Sequence, residues 1–166
     1  MDRQVVPILE TRKIGKEFSG VWVLQDINLQ VLPGEIMGLI GENGAGKSTL
    51  IKIMAGIYQP STGSLLLDGS PVVFKDYIDA KKQGIAIVPQ EFNLISTLTV
   101  YENIFLGNEI KLPLGLLNKR QMKMEAEKQL SLLNLPIPAS KLISELSVAE
   151  KQMVEIATAL LLNARI

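Results

Sequence analysis

Neither cysteine nor histidine occurs anywhere in the 166 residues. Without cysteine there is no disulfide, no thiolate metal ligand, no iron–sulfur cluster and no cysteine nucleophile. Without histidine there is no Ser–His or Cys–His pair and no imidazole for zinc, so acid–base work would rest on carboxylates or lysine. An excess of charge is lacking as well. Lys plus Arg and Asp plus Glu number 17 each, so no net field draws the chain to nucleic acid or anionic lipid, and such binding would need a local patch. Long hydrophobic runs are missing too. The longest apolar stretch, Ile156 to Leu162 with Thr158 inside it, is far short of the roughly 20 residues that span a bilayer. Met1 to Pro7 is polar and mixed in charge, unlike the apolar segment of a signal peptide. These absences predict a cytosolic chain with no transmembrane segment of its own, reaching a membrane only through a partner.

What is present is globular in texture: 47% apolar residues, 20% charged, 13 glycines and 8 prolines. At roughly 150 residues per domain, the length suits one domain or a piece of a larger one, with enough chain to bury a core. Residues 8–40 read as β structure, with Ile27, Leu29 and Val31 alternating with Asn28 and Gln30. After a turn at Pro33–Gly34, the apolar run Ile36–Ile40 predicts a parallel strand covered on both faces. Ser48–Ala55 suits a short helix stopped by Gly56. Leu65–Leu67 with Asp68–Gly69 predicts a strand and its hairpin end, and Ile85–Val88 a second buried strand. From Glu91 onward the pattern turns helical: Met122, Ala126, Leu130 and Leu133 lie at helical spacing within Lys119–Leu133, and a last helix runs from about Ala149 to Leu162.

The sharpest feature is Gly41-Glu42-Asn43-Gly44-Ala45-Gly46-Lys47-Ser48, which satisfies G-x-x-x-x-G-K-[ST], with Thr49 after it. Triphosphate binding needs several donors at once, and glycines let a loop turn its N–H groups inward with no Cβ in the way. Lys47 adds an ammonium for the β and γ phosphates. The Ser48 hydroxyl is placed to meet Mg²⁺, and the helix opening there points its positive end at the anion. The loop between a predicted buried strand and a helix is the context that such a motif requires, and the ligand it implies is ATP with Mg²⁺.

Taken with Gln90 and Leu146–Gln152, the whole chain resembles the nucleotide-binding subunit of ATP-binding cassette (ABC) transporters. The resemblance is carried by GENGAGKST (41–49), PSTGSLLLDG (60–69), IAIVPQ (85–90), LTVYENIFLG (98–107) and LSVAEKQMVEIATAL (146–160). VYENIFLG and LSVAEKQMVEIA are similar to the N-terminal half of the double-length ATPases of ribose, galactose and autoinducer importers. The resemblance implies an α/β fold: a P-loop NTPase (ABC ATPase) core with an antiparallel β part and a helical subdomain, incomplete at the C-terminus. It divides the chain into a β-rich part and P-loop core (1–90), a helical subdomain (91–145) and a signature segment with its helix (146–166). It further implies ATP hydrolysis coupled to solute import, membrane permease subunits and a second ATPase domain or copy as partners, no nucleic-acid partner, and a cytoplasmic place on the inner face of the membrane.

Residue by residue, Phe18 stands 23 positions before Gly41, where the family places an aromatic that stacks on adenine. The other reading is a core phenylalanine, and Trp22 is a second candidate for the stacking role. Gln90 falls on the family's Q-loop glutamine, which orients water or completes the Mg²⁺ shell. Leu146, Ser147, Val148, Ala149 and Glu150 fall on the LSGGQ signature that closes over ATP on the opposite protomer. The departures are Val148 and Ala149 for two glycines and Glu150 for glutamine; added bulk and a carboxylate beside phosphate predict a weakened signature. Ser147–Glu150 is also S-x-x-E, a capping box, and both readings can hold together. Glu145 and Glu155 are expected on solvated faces. The family's Mg²⁺-binding Asp, catalytic Glu and switch His lie beyond Asn163–Ile166, so the chain as given is expected to be inactive alone. The strand Ile36–Ile40 would then have unpaired edges, leaving a second copy to pair them or the loop to distort. Two alternatives are a soluble ABC ATPase acting on ribosomes or in DNA repair, which would want more than the basic pairs Lys81–Lys82 and Lys119–Arg120, and a generic P-loop kinase, which would lack residues 146–152.

Overall fold

The computed structural model describes residues 5–88, 93–161 and 164–166. The chain forms two compact units, Met1–Gln83 and Gly84–Ile166.

The first unit is built on an antiparallel sheet of β1 (Leu9–Phe18), β2 (Val21–Val31), β3 (Thr62–Leu67) and β4 (Ser70–Val72), in the order β2-β1-β3-β4. Two long strands joined at Ser19–Gly20 pair Leu9 with Val31 and Phe18 with Val21. The alternation at Ile27, Leu29 and Val31 thus turns one face inward, as its period-2 pattern demands. The register slips between Thr11 and Ile14, where Lys13 takes φ 51°; the Asn28 side chain accepts the freed Lys13 N–H at 2.9 Å. Helix α1 (Lys47–Met54) buries Leu50 and Ile53 against Ile14 and Leu24 of the sheet. Removing each of those side chains from water is worth about 1.5–3 kcal/mol. A short helix α2 (Tyr77–Lys82), capped by the Asp76 carboxylate on the Asp79 N–H at 2.8 Å, completes the unit.

The second unit is helical: α3 (Val100–Ile104), α4 (Lys119–Leu132) and α5 (Val148–Leu161), with single 3₁₀ turns at Pro113–Gly115 and Ile143–Glu145. Met122, Ala126 and Leu130 of α4 are buried with Val100 and Ile104 of α3 and Val154 and Ala157 of α5 in one apolar core. That is the 3.6-residue stripe the sequence displays.

Two expected strands are not formed. Ile36–Ile40 joins no ladder among the described residues, and Ile36 and Ile40 are 100% and 95% exposed. An all-apolar strand needs a paired neighbour on each side to satisfy its N–H and C=O groups, and none stands beside this run among the described residues. Ile85–Val88 likewise has no strand assignment, although Ile85 is buried. Here the start of a ladder exists: Ile166 N–H donates to Gly84 O at 3.1 Å and Ala86 N–H to Ile166 O at 2.8 Å. That slanted pair of bonds about Ile85 is the parallel pattern. Glu155, expected in solvent, is buried at 8% exposure, because its carboxyl is drawn inward to a main-chain N–H at Asn93, 3.0 Å away.

Candidate functional site

The glycine-rich loop is anchored at its C-terminal end, where α1 and β2 meet it, and not by the run Ile36–Ile40 on its N-terminal side. Gly46 is the residue before α1, in the left-handed conformation at φ 87°, ψ 3°. A Cβ there would lie 2.6 Å from Leu24 Cδ2 and 3.0 Å from Val23 O, so β2 admits only glycine at this point. Gly44 is also left-handed, at φ 88°. The first bond of α1 runs from Leu50 N–H to Gly46 O at 2.9 Å. The N–H groups of Lys47, Ser48 and Thr49 are therefore the unpaired donors that every helix start leaves, and the residue before the helix, a glycine, has no side chain to cap them. Residues Gly41 to Ala45 are exposed, as is Ser48.

Lys47 bends back over the loop. Its ammonium donates to Gly41 O at 2.7 Å and to Glu42 O at 2.6 Å, while Ala45 N–H closes on Glu42 O at 3.2 Å. The one cation of the motif is thereby held against the main chain of its own loop. Two carbonyls serve as acceptors that a better anion could replace. The concentration of donors, positive charge and the positive end of a helix in one exposed loop is chemically an anion cradle.

Phe18 ends β1 at 39% exposure, so it is not a core phenylalanine. Its ring meets Tyr58 edge-on, with centroids 5.5 Å apart and planes at 73°, and Lys16 Nζ lies 5.0 Å over its face. Trp22, across the hairpin opposite Glu17, is 43% exposed. Tyr58 carries no sequence signal that marks it as Phe18's partner. Gln90 lies outside the described residues.

In the second unit the S-x-x-E expectation is met in detail. Ser147 donates its N–H to Glu150 Oε2 at 2.7 Å and its hydroxyl at 2.8 Å, while Glu150 N–H returns to Ser147 Oγ at 3.3 Å. The N–H and hydroxyl of Ser147, with Lys141 Nζ 3.6 Å from the other oxygen, hold the Glu150 carboxyl below the usual carboxylate range. The hydroxyl proton of Ser147 is thus committed to a side chain that also brings negative charge to the helix start. Val148 and Ala149 are exposed, Glu145 is exposed, and Leu146 is buried in the helical core. Leu146 therefore anchors the segment rather than facing a ligand. The same box recurs at Thr99–Glu102, where Thr99 N–H and hydroxyl reach Glu102 Oε2 at 3.0 and 2.7 Å. Its T-x-x-E pattern is the sequence signal for that second cap.

Compared with known proteins, residues 24–166 match the ABC transporter family. The chain belongs to that family. It is 48% identical over 159 residues to the ribose import ATP-binding protein RbsA of Hahella chejuensis, covering 96% of this chain and 32% of that protein. A putative ribose/galactose/methyl galactoside import ATP-binding protein of the same organism is 45% identical over 157 residues, covering 95% and 30%. The chain thus spans about a third of the length of these curated relatives. Among solved structures, cbiO1 from Clostridium perfringens, part of the ABC transporter complex cbiONQ, superposes with a TM-score of 0.77 at 29% identity, covering 95% of this chain and 62% of that one. A nucleotide-free ATP-binding cassette of an ABC transporter gives 0.80 at 28%, covering 95% and 66%. The antiparallel sheet, glycine-rich loop and helical unit therefore belong to the ABC ATPase fold.

Proposed function

We propose that this chain is the ATP-binding segment of an ABC importer for a sugar or related small solute. The observation that carries the reading is the cradle at Gly41–Thr49. Left-handed glycines, three free N–H groups of α1 and the Lys47 ammonium converge in one exposed loop. That donor set fits a nucleotide's phosphates. Lys47 would exchange the carbonyls of Gly41 and Glu42 for phosphate oxygens, a charge-assisted and so stronger partner. The exposed Ser48 hydroxyl, with the amide of Gln90, would hold Mg²⁺, which when bound offsets the charge on the phosphates. Phe18, exposed at the end of β1, offers a ring face for adenine in place of its contact with Lys16.

In the whole protein, hydrolysis would belong to a closed pair of ATPase domains. The cradle of one would face the Ser147 segment of the other, with Val148, Ala149 and Glu150 making a weaker closure than two glycines and a glutamine. The labour divides among residues 1–90 for nucleotide chemistry, 91–145 for contact with permease subunits on the inner face of the membrane, and 146–166 for closure. The names of the relatives, all import ATP-binding proteins, support the importer reading over action on ribosomes or DNA. The cbiO1 relative, part of a transporter complex, supports permease partners. Among the described residues no helix is long and apolar enough to cross a membrane.

The test is uptake of labelled ribose and galactose by cells carrying the complete polypeptide with its permease subunits. Uptake of at least one sugar, abolished by Lys47→Ala, is expected. Uptake of either sugar that is indifferent to Lys47→Ala would sink the proposal.

A further inference from the structure

The ladder between β1 and β3 ends at the pair Gly15 and Thr62. Beyond that pair, β1 continues against β2, with Glu17 opposite Trp22 and Phe18 opposite Val21. On its other side the turn before β3 takes over. Ser61 N–H donates to Gly15 O at 2.8 Å, and the Ser61 hydroxyl accepts the Glu17 N–H at 3.1 Å. Lys16 Nζ donates to Gln59 O at 2.8 Å, and Tyr58 meets the Phe18 ring with centroids 5.5 Å apart. The end of β1 that carries Phe18 is therefore held by residues 58–61, a turn to which the phosphate chemistry gives no task.

Tyr58 is itself fixed from within. It is half-buried and packs against the core of Ile14, Leu24, Leu50 and Ile53. The N–H groups of Ile57 and Tyr58 both donate to Lys52 O, at 2.8 and 3.1 Å, which closes the last turn of α1. Lys52 Nζ lies 5.4 Å over the tyrosine ring. Helix α1 thus opens at the phosphate cradle and ends at the residue that meets Phe18. Phe18 nevertheless stays 39% exposed. A packing partner would cover that ring, and a stray surface phenylalanine would have no partner; this one is steadied and left open.

We propose that Tyr58 is a positioning residue for the base: it sets the tilt of the Phe18 ring on which adenine stacks, from the far end of the helix whose start holds the phosphates. The proposal rests on the nucleotide-binding reading above and adds to it a residue that acts on the base and not on the phosphates. Lys16 cannot serve this purpose, because adenine takes its place over the ring face. Tyr58 meets the ring at an interplanar angle of 73°, and aromatic pairs of this kind favour a defined angle, so the contact fixes orientation as well as place. A ring held in advance loses less freedom when the base arrives, which raises affinity with no contact between Tyr58 and the ligand.

The test titrates the complete polypeptide, as parent, Tyr58→Leu and Tyr58→Phe, with two magnesium-loaded probes, ATP and inorganic tripolyphosphate, which has phosphates and no base. Leucine keeps an apolar side chain on the core and removes the aromatic edge. Tyr58→Leu should bind ATP about three- to tenfold more weakly, the range such an aromatic pair is worth, with tripolyphosphate unchanged. Tyr58→Phe should match the parent with both probes. In a Phe18→Leu background, Tyr58→Leu should cause no further loss of ATP affinity, because its effect passes through that ring. A second readout needs no destabilising change: in protein labelled with 3-fluorotyrosine, the Tyr58 resonance, assigned by its absence from Tyr58→Phe, should shift with ATP and stay in place with tripolyphosphate. Parent-like ATP affinity in Tyr58→Leu, an equal loss with both probes, a loss that persists without Phe18, or a fluorine resonance indifferent to ATP overturns the proposal. In each of those cases the parent still binds ATP and the nucleotide reading stands. A parent that binds neither probe brings down that reading and the proposal with it.

Discussion

Replacing Gly46 with alanine imposes two separate costs that the structure allows to be divided. The left-handed φ of 87° is unfavourable for any residue with a Cβ, by about 1–2 kcal/mol. The new methyl would also stand 2.6 Å from Leu24 Cδ2 and 3.0 Å from Val23 O, and forcing a packed side chain and a strand carbonyl aside costs about 1–3 kcal/mol more. Gly44, at φ 88° with nothing within 4 Å of its Cβ position, carries only the first cost. Denaturant unfolding should therefore show Gly46→Ala losing about 2–5 kcal/mol and Gly44→Ala about 1–2 kcal/mol. At about 2–4 °C per kcal/mol for a chain of this size, thermal midpoints should separate by several degrees. The steric part has its own check. In the Gly46→Ala background, Leu24→Ala should cost about 1–2 kcal/mol less than in the parent, as expected for directly contacting residues. Equal losses at Gly44 and Gly46, or a Leu24→Ala cost that does not depend on position 46, would refute the reasoning that β2 fixes the loop.

Other consequences can be checked in parallel. Leu50→Ala and Ile53→Ala, which remove the buried attachment of α1 to the sheet, should each cost about 2–5 kcal/mol in denaturant unfolding, and less than about 1 kcal/mol would contradict that attachment. The Glu150 carboxyl is held below the ordinary carboxylate range in the fold, so its cap contributes above the unfolded-state value and is lost as pH falls through the folded one; Glu150→Gln should flatten the acid side of the pH–stability profile, and an unchanged profile would deny the cap. Changing Val148 and Ala149 to glycine together with Glu150→Gln should strengthen ATP-dependent pairing of the complete polypeptide in sedimentation, whereas weaker pairing would show that these residues do not limit closure. Ile36 and Ile40, exposed on an unpaired run, should make the 166-residue chain self-associate, and Ile36→Lys with Ile40→Lys should keep it monomeric at the same concentration; association that persists would place the contact elsewhere.

Structure is legible in the sequence wherever the information is local. The period-2 alternation in β2, the stripe Met122–Ala126–Leu130 and the S-x-x-E box each depend on residues within a few positions of one another, and each stands in the fold as its pattern predicts. The departures are non-local. Ile36–Ile40 is composed as a doubly covered strand, but composition does not say whether a neighbour is present to pair it. Glu155 is expected on a solvated face, and what turns it inward is a donor 62 residues earlier. The loop Gly41–Thr49 is legible as a phosphate motif, yet its dependence on Leu24 and Val23 of β2 is not, because a close approach between a glycine and a distant strand leaves no trace in spacing.

The central claim is that Lys47 and the amides around it hold the phosphates of ATP. Titrating the complete polypeptide with a fluorescent ATP analogue, parent against Lys47→Ala, tests it most directly. The account predicts a Kd at least tenfold weaker in the variant, about 1.4 kcal/mol or more, with unfolding of both proteins at the same denaturant midpoint. The same Kd in both would contradict it.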